Sequence, residues 1–399
     1  RAHFDLPPLP LTHRHVPAPA AQLLRHVAPD RLCCPRNAAH AAAMSRPEVS
    51  MRLAELSSGK DNNFNLIRLL AAIAVLVSHS MVLATGHFRD NPFPVRLQTS
   101  FGSIAVDVFF IISGFLVTGS LTTRQDLRQY LLSRVLRIYP ALLVMVALTV
   151  GVLGSYFTTL PWRSYLADAE TWRFALMNAT LVFGHADFLP GVFDATPMRG
   201  LVNGSLWTIP HELRCYLLLG GVWLLASAAR SSCMRVFRMA CIAVALAFWI
   251  AHPVDHFYLK TGWPFIQFFF MFMSGSIYFL LREHIHLSSR LFLVMVAALI
   301  ASTFQNDAFF LVYRFTLPYI VLWLAFVPSG SIRCFNKAGD YSYGFYIYAF
   351  PLQQSIISLM PQTSTLQLIL ISGSVALLFS VFSWHTIEKK ALQFKAAPK

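Results

Sequence analysis

The sequence predicts an all-α polytopic membrane protein with about ten transmembrane helices, and three observations lead to this prediction. Of its 399 residues, 56% are hydrophobic and only 13% are charged, and the mean hydropathy is +0.55. Apolar runs of roughly 16 to 22 residues, long enough to cross the hydrocarbon core of a bilayer, recur along the chain. These runs are continuous and do not alternate with polar residues, which excludes a transmembrane β-barrel.

Ten apolar runs are the predicted membrane spans. Each forms a helix about as long as the hydrocarbon core is thick. The run at 239–252 is the weakest, and the stretch from Trp172 to Phe183 is left out because it is too short and too interrupted. The predicted spans are residues 66–85, 104–121, 138–155, 206–227, 239–252, 264–281, 290–304, 309–327, 341–359 and 367–387.

Lysine and arginine are concentrated on alternate connections between these spans, and positive residues are retained on the cytoplasmic side. Loop 87–103 holds two arginines, and loop 156–205 has three arginines balanced by four acidic residues. Loop 360–366 has no lysine or arginine. Both termini are therefore expected in the cytoplasm. Topology and anionic lipid headgroups account for the net charge of +14, which gives no indication of nucleic-acid binding. The connections rich in lysine and arginine carry Arg124, Arg128, Arg134, Arg137, Arg230, Arg235, Arg238, Arg282, Arg290, Arg333, Lys337, Lys389, Lys390, Lys395 and Lys399.

The first 50 residues differ from the rest because they are rich in Pro, Ala, Arg and His and lack a sustained apolar run. We expect them to be disordered and find no secretory signal. Met44 and Met51 lie shortly before the first span, so we interpret 1–50 as translated upstream sequence, with a cytoplasmic regulatory tail as the alternative. Residues 60–390 are then one transmembrane domain, and 391–399 a cytoplasmic tail.

The six cysteines and fourteen histidines indicate neither a disulfide framework nor a metal site. The cysteines are divided between the N-terminal region and the predicted cytoplasmic ends and interiors of helices. Internal repeats of the kind found in transporters are not evident.

Arg68 and His79 are ionisable residues within the first predicted span, where burial in lipid is costly. Ten residues separate them, so they differ in depth by roughly 16 Å along a helix. Arg68 is placed near the cytoplasmic face and His79 inside the outer half. The alternative interpretation is a snorkelling arginine and a core histidine satisfied by a neighbouring helix.

Two further segments carry polar residues into apolar surroundings. Asp107 lies near the outer end of the second span, in VDVFFIISGFLVTGSL, and needs a partner there. The small residues Gly114 and Gly119 of that span permit close helix approach. Arg134 and Arg137 lie on one helix face immediately before the third span, where paired guanidiniums suit phosphate oxygens. The alternative is that the two arginines only anchor the helix at the cytoplasmic face, as positive residues there commonly do.

Glu212 falls a turn or two inside the fourth span, in NGSLWTIPHELRCYLLLG, and on its own could simply cap or brace a neighbouring helix. The predicted topology sorts the ionisable residues into two layers by depth. The outer layer holds His79, Asp107 and Glu212, and the cytoplasmic layer holds Arg68, Arg134 and Arg137.

Arg68 and His79 are followed, in this order, by VDVFFIISGFL, SRVLRIYP and SLWTIPHEL. This ordered set resembles the acyltransferase-3 family of bacterial integral membrane acyltransferases that acylate surface glycans. The resemblance covers roughly residues 60–387. It implies a ten-helix enzyme of the bacterial inner membrane, in a stand-alone form without an appended hydrolase-like domain. Its reaction would move an acyl group, expected to be acetyl, from cytoplasmic acyl-coenzyme A to a hydroxyl of an extracytoplasmic glycan or lipid-linked saccharide. Acyl-coenzyme A is a co-substrate, and no tightly bound cofactor is expected.

The resemblance also implies roles for individual residues. His79 would be the catalytic histidine, and Glu212 matches the acidic residue of the family's tryptophan-containing motif. Leu213 stands where many relatives have a second acidic residue, so no role is carried to that position. The arginines expected to line the donor path are Arg68, Arg134 and Arg137.

A thioester is already activated, so its transfer mainly needs a base for the attacking hydroxyl, and histidine suits that task. We hypothesise His79 as general base, Glu212 as its orienting partner and Asp107 as a structural or supporting group. An acyl-histidine intermediate is left open. The longest outer loop, 156–205, is expected to contact the acceptor.

A different class of protein is compatible with the same buried ionisable residues. They could form a proton relay in a transporter that exports a glycan or a small polar solute. Such a transporter predicts inverted repeats or helices broken at the midplane, which the sequence does not show.

Overall fold

A computed structural model of the chain describes residues 51–87, 97, 99–182 and 184–395. The predicted disordered region, 1–50, and the end of the predicted tail, 396–399, lie outside these residues, as do Arg89 and Arg96 of the first outer loop. The described part begins with strand β1 (Met51–Arg52), which pairs antiparallel with β2 (His286–Leu287).

Ten helices of 14 residues or more form the bulk of the described part. In chain order they are α1 (Phe64–Thr85), α2 (Phe101–Arg124), α3 (Leu127–Leu148), α4 (Ile209–Ser227), α5 (Cys233–Val254), α6 (Pro264–Leu280), α7 (Ser289–Ser302), α8 (Asn306–Phe326), α9 (Ser342–Leu359) and α10 (Thr365–Ser383).

Three of these helices continue through a π-helical turn, namely α3 through Thr149–Gly154, α5 through Asp255–Leu259 and α10 through Trp384–Glu388. Shorter helical pieces lie between and beside the long ones. They are Leu53–Leu56, Ser155–Phe157, Trp162–Ala167, Ala169–Thr180, Leu206–Thr208, Arg230–Ser232, Ser331–Cys334, Phe335–Ala338 and Lys389–Gln393.

The all-α membrane class predicted from the sequence is confirmed. Each predicted span overlaps one of the ten long helices, and the excluded stretch near Trp172 is only a 12-residue helix. Within the described residues, six segments are long and apolar enough to cross a membrane by length and composition: Phe64–Thr85, Phe101–Arg124, Leu127–Phe157, Arg230–Leu259, Asn306–Phe326 and Thr365–Gln393. Two shorter helices, α6 and α7, are also apolar.

Helices α2 and α6 pack with their backbones almost in contact. A Cβ atom added at Gly114 would lie 1.9 Å from the carbonyl oxygen of Phe272, and one added at Gly275 would lie 2.0 Å from that of Ile111. Only glycine fits at both positions, as is common where membrane helices approach closely. The close approach predicted at Gly114 is therefore confirmed.

Helix α1 is held against α9 by a buried amide. Gln353 Nε2 donates to the carbonyl oxygen of Leu76 at 2.8 Å and to Ser80 Oγ at 2.6 Å. These two acceptors flank His79 in the sequence. The contact therefore fixes the part of α1 from which His79 projects.

Candidate active site

His79 lines a cavity of about 560 Å³ between α1, α2, α6 and α9. Its Nδ1 atom is buried and has no hydrogen-bond partner among the described residues. The ring packs edge-on against Phe350, with the ring centroids 5.0 Å apart. Because buried polar atoms are normally paired, the imidazole retains a nitrogen that no protein group occupies.

The predicted acceptor loop, 156–205, forms part of the wall of this cavity. His185 and Asp187 face into it, with 3.2 Å between Nε2 of the histidine and Oδ1 of the aspartate. Met198 and Leu201 line it as well. The loop thus supplies a second imidazole and a carboxylate to the cavity that holds His79.

Asp107 is buried but does not belong to the set of residues that line the His79 cavity. Its carboxylate accepts hydrogen bonds from Gln267 Nε2 at 3.0 and 3.1 Å and from the Tyr313 hydroxyl at 2.9 Å. Arg314 Nη1 lies 3.5 Å from Oδ2. Asp107 therefore links α2 to α6 and α8, and its partner Gln267 also lines the His79 cavity.

Glu212 lies in the first turn of α4 and accepts hydrogen bonds from Ser113 Oγ, at 2.9 Å, and from the Tyr216 hydroxyl. Neither contact involves His79, so the hydrogen bond expected between Glu212 and His79 is absent. The two residues also differ in depth. Ser78 packs against Gly102, whereas Ser113 lies eleven residues further along α2, about 16 Å away.

The chain before α4 explains why the predicted depth of Glu212 is wrong. Asn203 and Ser205 are fully buried, so the outer loop enters the protein interior before the helix begins at Ile209. Asn203 Nδ2 donates to the carbonyl oxygen of Ile347 at 3.0 Å, which holds this entry against α9. Helix α4 therefore starts deeper than its apolar run indicates, and Glu212 lies near Arg68 instead of near His79.

Arg68 and Glu212 line a narrow pocket of about 40 Å³. Val106 and Tyr346 line both this pocket and the His79 cavity, so the two spaces adjoin. Tyr346 is fixed there because its hydroxyl donates to the carbonyl oxygen of Ser205 at 2.8 Å. Arg68 and His79 therefore line neighbouring spaces.

Two of the three predicted donor-path arginines are already paired within the protein. Arg68 forms an ion pair with Asp340, and Arg137 contacts Asp340 at 2.6 Å and Glu388 at 3.0 Å. Burying guanidinium groups away from water requires such counter-charges. Burial favours the neutral form of Asp340, but Arg137 and Arg68 together hold its pKa below the ordinary value. This network joins α1, α3 and the segments that precede α9 and follow α10.

Arg134 differs from these two arginines because no carboxylate lies within salt-bridge distance of it in the described part of the chain. Its guanidinium contacts Ser133 Oγ and lies over the ring of Tyr216. Lys395, beyond α10, lies close enough to Arg134 for its charge to affect the lysine. Burial, together with the charges of Arg134, Arg137 and Arg124, lowers the pKa of Lys395 to about 8.

Asp340, Glu388 and Lys395 were not identified as site residues from the sequence. Asp340 opens the aromatic segment DYSYGFYIYAF, and Glu388 lies beside two lysines near the predicted tail. The available signal was an acidic residue at the cytoplasmic end of a span, on the same side as unpaired arginines. Such a residue is a candidate counter-ion for a buried guanidinium.

Comparisons with known proteins identify the family of this chain. The family model described as an acyltransferase domain, that of the acyltransferase-3 family, matches residues 61–385. An O-acetyl transferase of Shigella phage Sf6 is 27% identical over 346 residues, which cover 85% of this chain and 98% of that protein. Nodulation protein 10 of Rhizobium leguminosarum bv. viciae is 27% identical over 374 residues, 86% of this chain and 96% of that protein.

A more distant relative matches only in part. The peptidoglycan O-acetyltransferase OatA of Listeria monocytogenes is 26% identical over 159 residues, which cover 38% of this chain and 22% of that protein. No solved structure is significantly similar to this chain. Since the family match spans nearly all of the described helices and two relatives align along almost their whole length, the chain belongs to the acyltransferase-3 family and is a membrane O-acyltransferase.

Proposed function

We propose that this protein transfers an acetyl group from cytoplasmic acetyl-coenzyme A to a hydroxyl of an extracytoplasmic glycan or lipid-linked saccharide. One observation carries the proposal. Arg68 and His79, about 16 Å apart along α1, line two adjoining spaces, and we propose that these together form the donor path. A path of this kind allows the extended arm of the donor to reach His79 while its phosphates stay at the charged end.

His79 is proposed as the general base. In the proposed step, a hydroxyl of the acceptor attacks the thioester carbonyl and gives its proton to the imidazole. When the tetrahedral intermediate collapses, the thiolate leaves and takes that proton back, so that an ester and free coenzyme A result. The unpartnered ring nitrogen supports this role because no internal hydrogen bond has to be broken first. An acyl-histidine intermediate is the alternative route.

The donor phosphates are proposed to bind at Arg134 and Lys395. Arg134 has a guanidinium without a carboxylate partner among the described residues, and the neighbouring Lys395 adds a second cation. Arg68 and Arg137 would contribute from their ion-paired network, with Arg68 on the wall of the path. Planar guanidinium groups are well suited to phosphate oxygens.

Glu212 and Asp107 are proposed to position other groups. Glu212 lines the narrow pocket, where it would contact the donor arm, and its carboxylate is held in place by hydrogen bonds from Ser113 and Tyr216. Asp107 holds Gln267, whose amide reaches the His79 cavity. Both residues thereby act on the shape of the path and not on the protonation of His79.

Ten spans, cytoplasmic termini and the bacterial inner membrane are proposed as the topology and location. Support comes from the ten long helices, the distribution of positive residues and the relatives named as O-acetyltransferases. The name of the Listeria relative, a peptidoglycan O-acetyltransferase, supports a cell-envelope glycan as acceptor. The transporter alternative loses support because the chain belongs to an acyltransferase family.

The test is transfer of radiolabelled acetyl from acetyl-coenzyme A in membranes that contain the wild-type protein or His79→Ala, with glycan and lipid fractions counted separately. We expect transfer to fall by about 10² to 10⁴ in the variant, the usual contribution of a general base. His284→Ala, an exposed histidine outside both spaces, is the matched control. Unchanged transfer by folded His79→Ala would contradict the proposal.

A further inference from the structure

A second cavity, of about 710 Å³, adjoins the one that holds His79. It lies between α5, α6 and α8 and includes the connection from Asp255 to Trp263. Four residues line both cavities: Ser103, Gly262, Pro264 and Gln267. The two cavities therefore lie side by side and share part of their lining. None of the proposed donor contacts lies in it.

His252 gives this cavity an unsatisfied hydrogen-bond donor. Arg314 Nε lies 2.8 Å from His252 Nε2, and a guanidinium can only donate, so Nε2 must accept. The ring is then neutral and carries its proton on Nδ1. The His252 side chain lines the cavity and is only 7% exposed. Its Nδ1–H group is buried and has no hydrogen-bond partner among the described residues. An acceptor oxygen from a ligand would satisfy it.

The rest of the lining combines flat apolar faces with hydrogen-bonding groups of both kinds. His256 stacks on Phe310 with the ring centroids 3.7 Å apart, and Trp263 presents a half-exposed indole. The charges are balanced, since Asp255 and Asp307 oppose Lys260 and Arg314. An anionic or cationic ligand would find no excess of opposite charge here. A neutral polyol with flat apolar faces would find partners for both its hydroxyls and its ring.

We infer that this cavity is a saccharide-binding subsite that holds the sugar units next to the one that is acetylated at His79. The inference rests on the proposed function and adds the substrate class and the residues that select it. The His252 Nδ1–H would donate to a hydroxyl or ring oxygen, Trp263 would stack on a sugar face, and Asp307 would accept from a hydroxyl. The acceptor is then an oligosaccharide and not a single sugar.

The experiment measures how transfer depends on acceptor length. The acceptors are envelope glycan from the expression host, partly hydrolysed and separated into monosaccharide and tetrasaccharide fractions, with labelled acetyl-coenzyme A as donor. The wild-type protein is expected to prefer the tetrasaccharide. In Trp263→Ala, Asp307→Asn and His252→Phe, the ratio of tetrasaccharide to monosaccharide transfer should fall by about tenfold, as expected when one hydrogen bond or stacking contact is lost.

Controls separate this inference from the proposed function. Trp263 and Asp307 are exposed, so their variants keep the test valid if His252→Phe does not fold. Phe304→Ala, an exposed aromatic at the same end of α8 but outside the cavity, should leave the ratio unchanged. A wild-type ratio in the folded Trp263 and Asp307 variants would overturn the subsite while His79-dependent transfer still supported the enzyme.

Binding gives a second, independent readout. Quenching of tryptophan fluorescence by the tetrasaccharide fraction is measured in purified His79→Ala, with and without Trp263→Phe. Quenching that requires Trp263 supports the subsite even if no transfer is detected, in which case only the proposed reaction fails. Equal quenching in both proteins would place the saccharide elsewhere and overturn the inference.

Discussion

Arg137 Nη2 and Asp340 Oδ2 form an ion pair of 2.6 Å that joins α3 to the segment before α9. Both side chains are largely shielded from solvent, and Asp340 also neutralises Arg68. The carboxylate thus balances guanidiniums from two helices that are far apart in the sequence. Its removal would leave Arg68 without its carboxylate partner and Arg137 with Glu388 alone, which is far more costly than the loss of an exposed ion pair.

Asp340→Asn should therefore destabilise the protein by about 3 to 5 kcal/mol, the usual cost of leaving a buried charge unpaired. The measurement is the thermal midpoint of the purified protein in detergent. Glu170→Gln is the matched control because it breaks the exposed ion pair with Arg173, worth about 0 to 1 kcal/mol. Equal midpoints for the two variants would show that Asp340 does not serve as the counter-ion.

Arg134→Ala should raise the KM for acetyl-coenzyme A by about 10- to 100-fold and change kcat little, because a charge-assisted hydrogen bond to phosphate is worth about 1.5 to 3 kcal/mol. The measurement is steady-state transfer at saturating acceptor. Arg128→Ala, which removes an exposed arginine of the same helix, should behave as wild type. A fall in kcat with an unchanged KM would place Arg134 in the chemical step instead.

The affinity for the donor should weaken as the pH rises through about 8, the lowered pKa of Lys395. Below this value Lys395 is a cation that attracts phosphate, and above it the side chain is neutral. Phosphate groups with a second pKa of about 6 do not titrate in this range. The measurement is kcat/KM for acetyl-coenzyme A between pH 7 and 9.

Two variants isolate the contribution of Lys395 to this profile. Lys395→Arg keeps its charge throughout the range and should remove the decline, whereas Lys395→Met should show low kcat/KM already at pH 7. If Lys395→Arg declines as steeply as the wild type, another group is responsible.

Gly114→Ala should destabilise the protein by about 1 to 3 kcal/mol or more, because its methyl group would overlap the backbone of α6. Thermal unfolding in detergent is again the measurement. Gly221→Ala in α4 is a suitable control, since no atom lies within 4 Å of the added Cβ. A wild-type midpoint for Gly114→Ala would mean that α2 and α6 are further apart than the structure shows.

Local sequence patterns were sufficient for the helices and for part of the site. Apolar runs located all ten long helices because length and hydrophobicity are properties of the segment itself. The spacing of Arg68 and His79 on one helix gave their separation in depth for the same reason. The partners of Asp107 could not be predicted, because Gln267, Tyr313 and Arg314 come from two helices more than 150 residues away.

The sequence by itself determined that this is a helical membrane protein of the acyltransferase-3 family, since hydrophobic runs and the ordered motifs are written along the chain. Only the tertiary structure decided which ionisable groups meet. The buried loop before α4 moved Glu212 from the depth of His79 to that of Arg68, and Asp340 brought Arg68 and Arg137 together. Burial makes each charge depend on neighbours contributed by other helices, and packing, not sequence spacing, sets those neighbours.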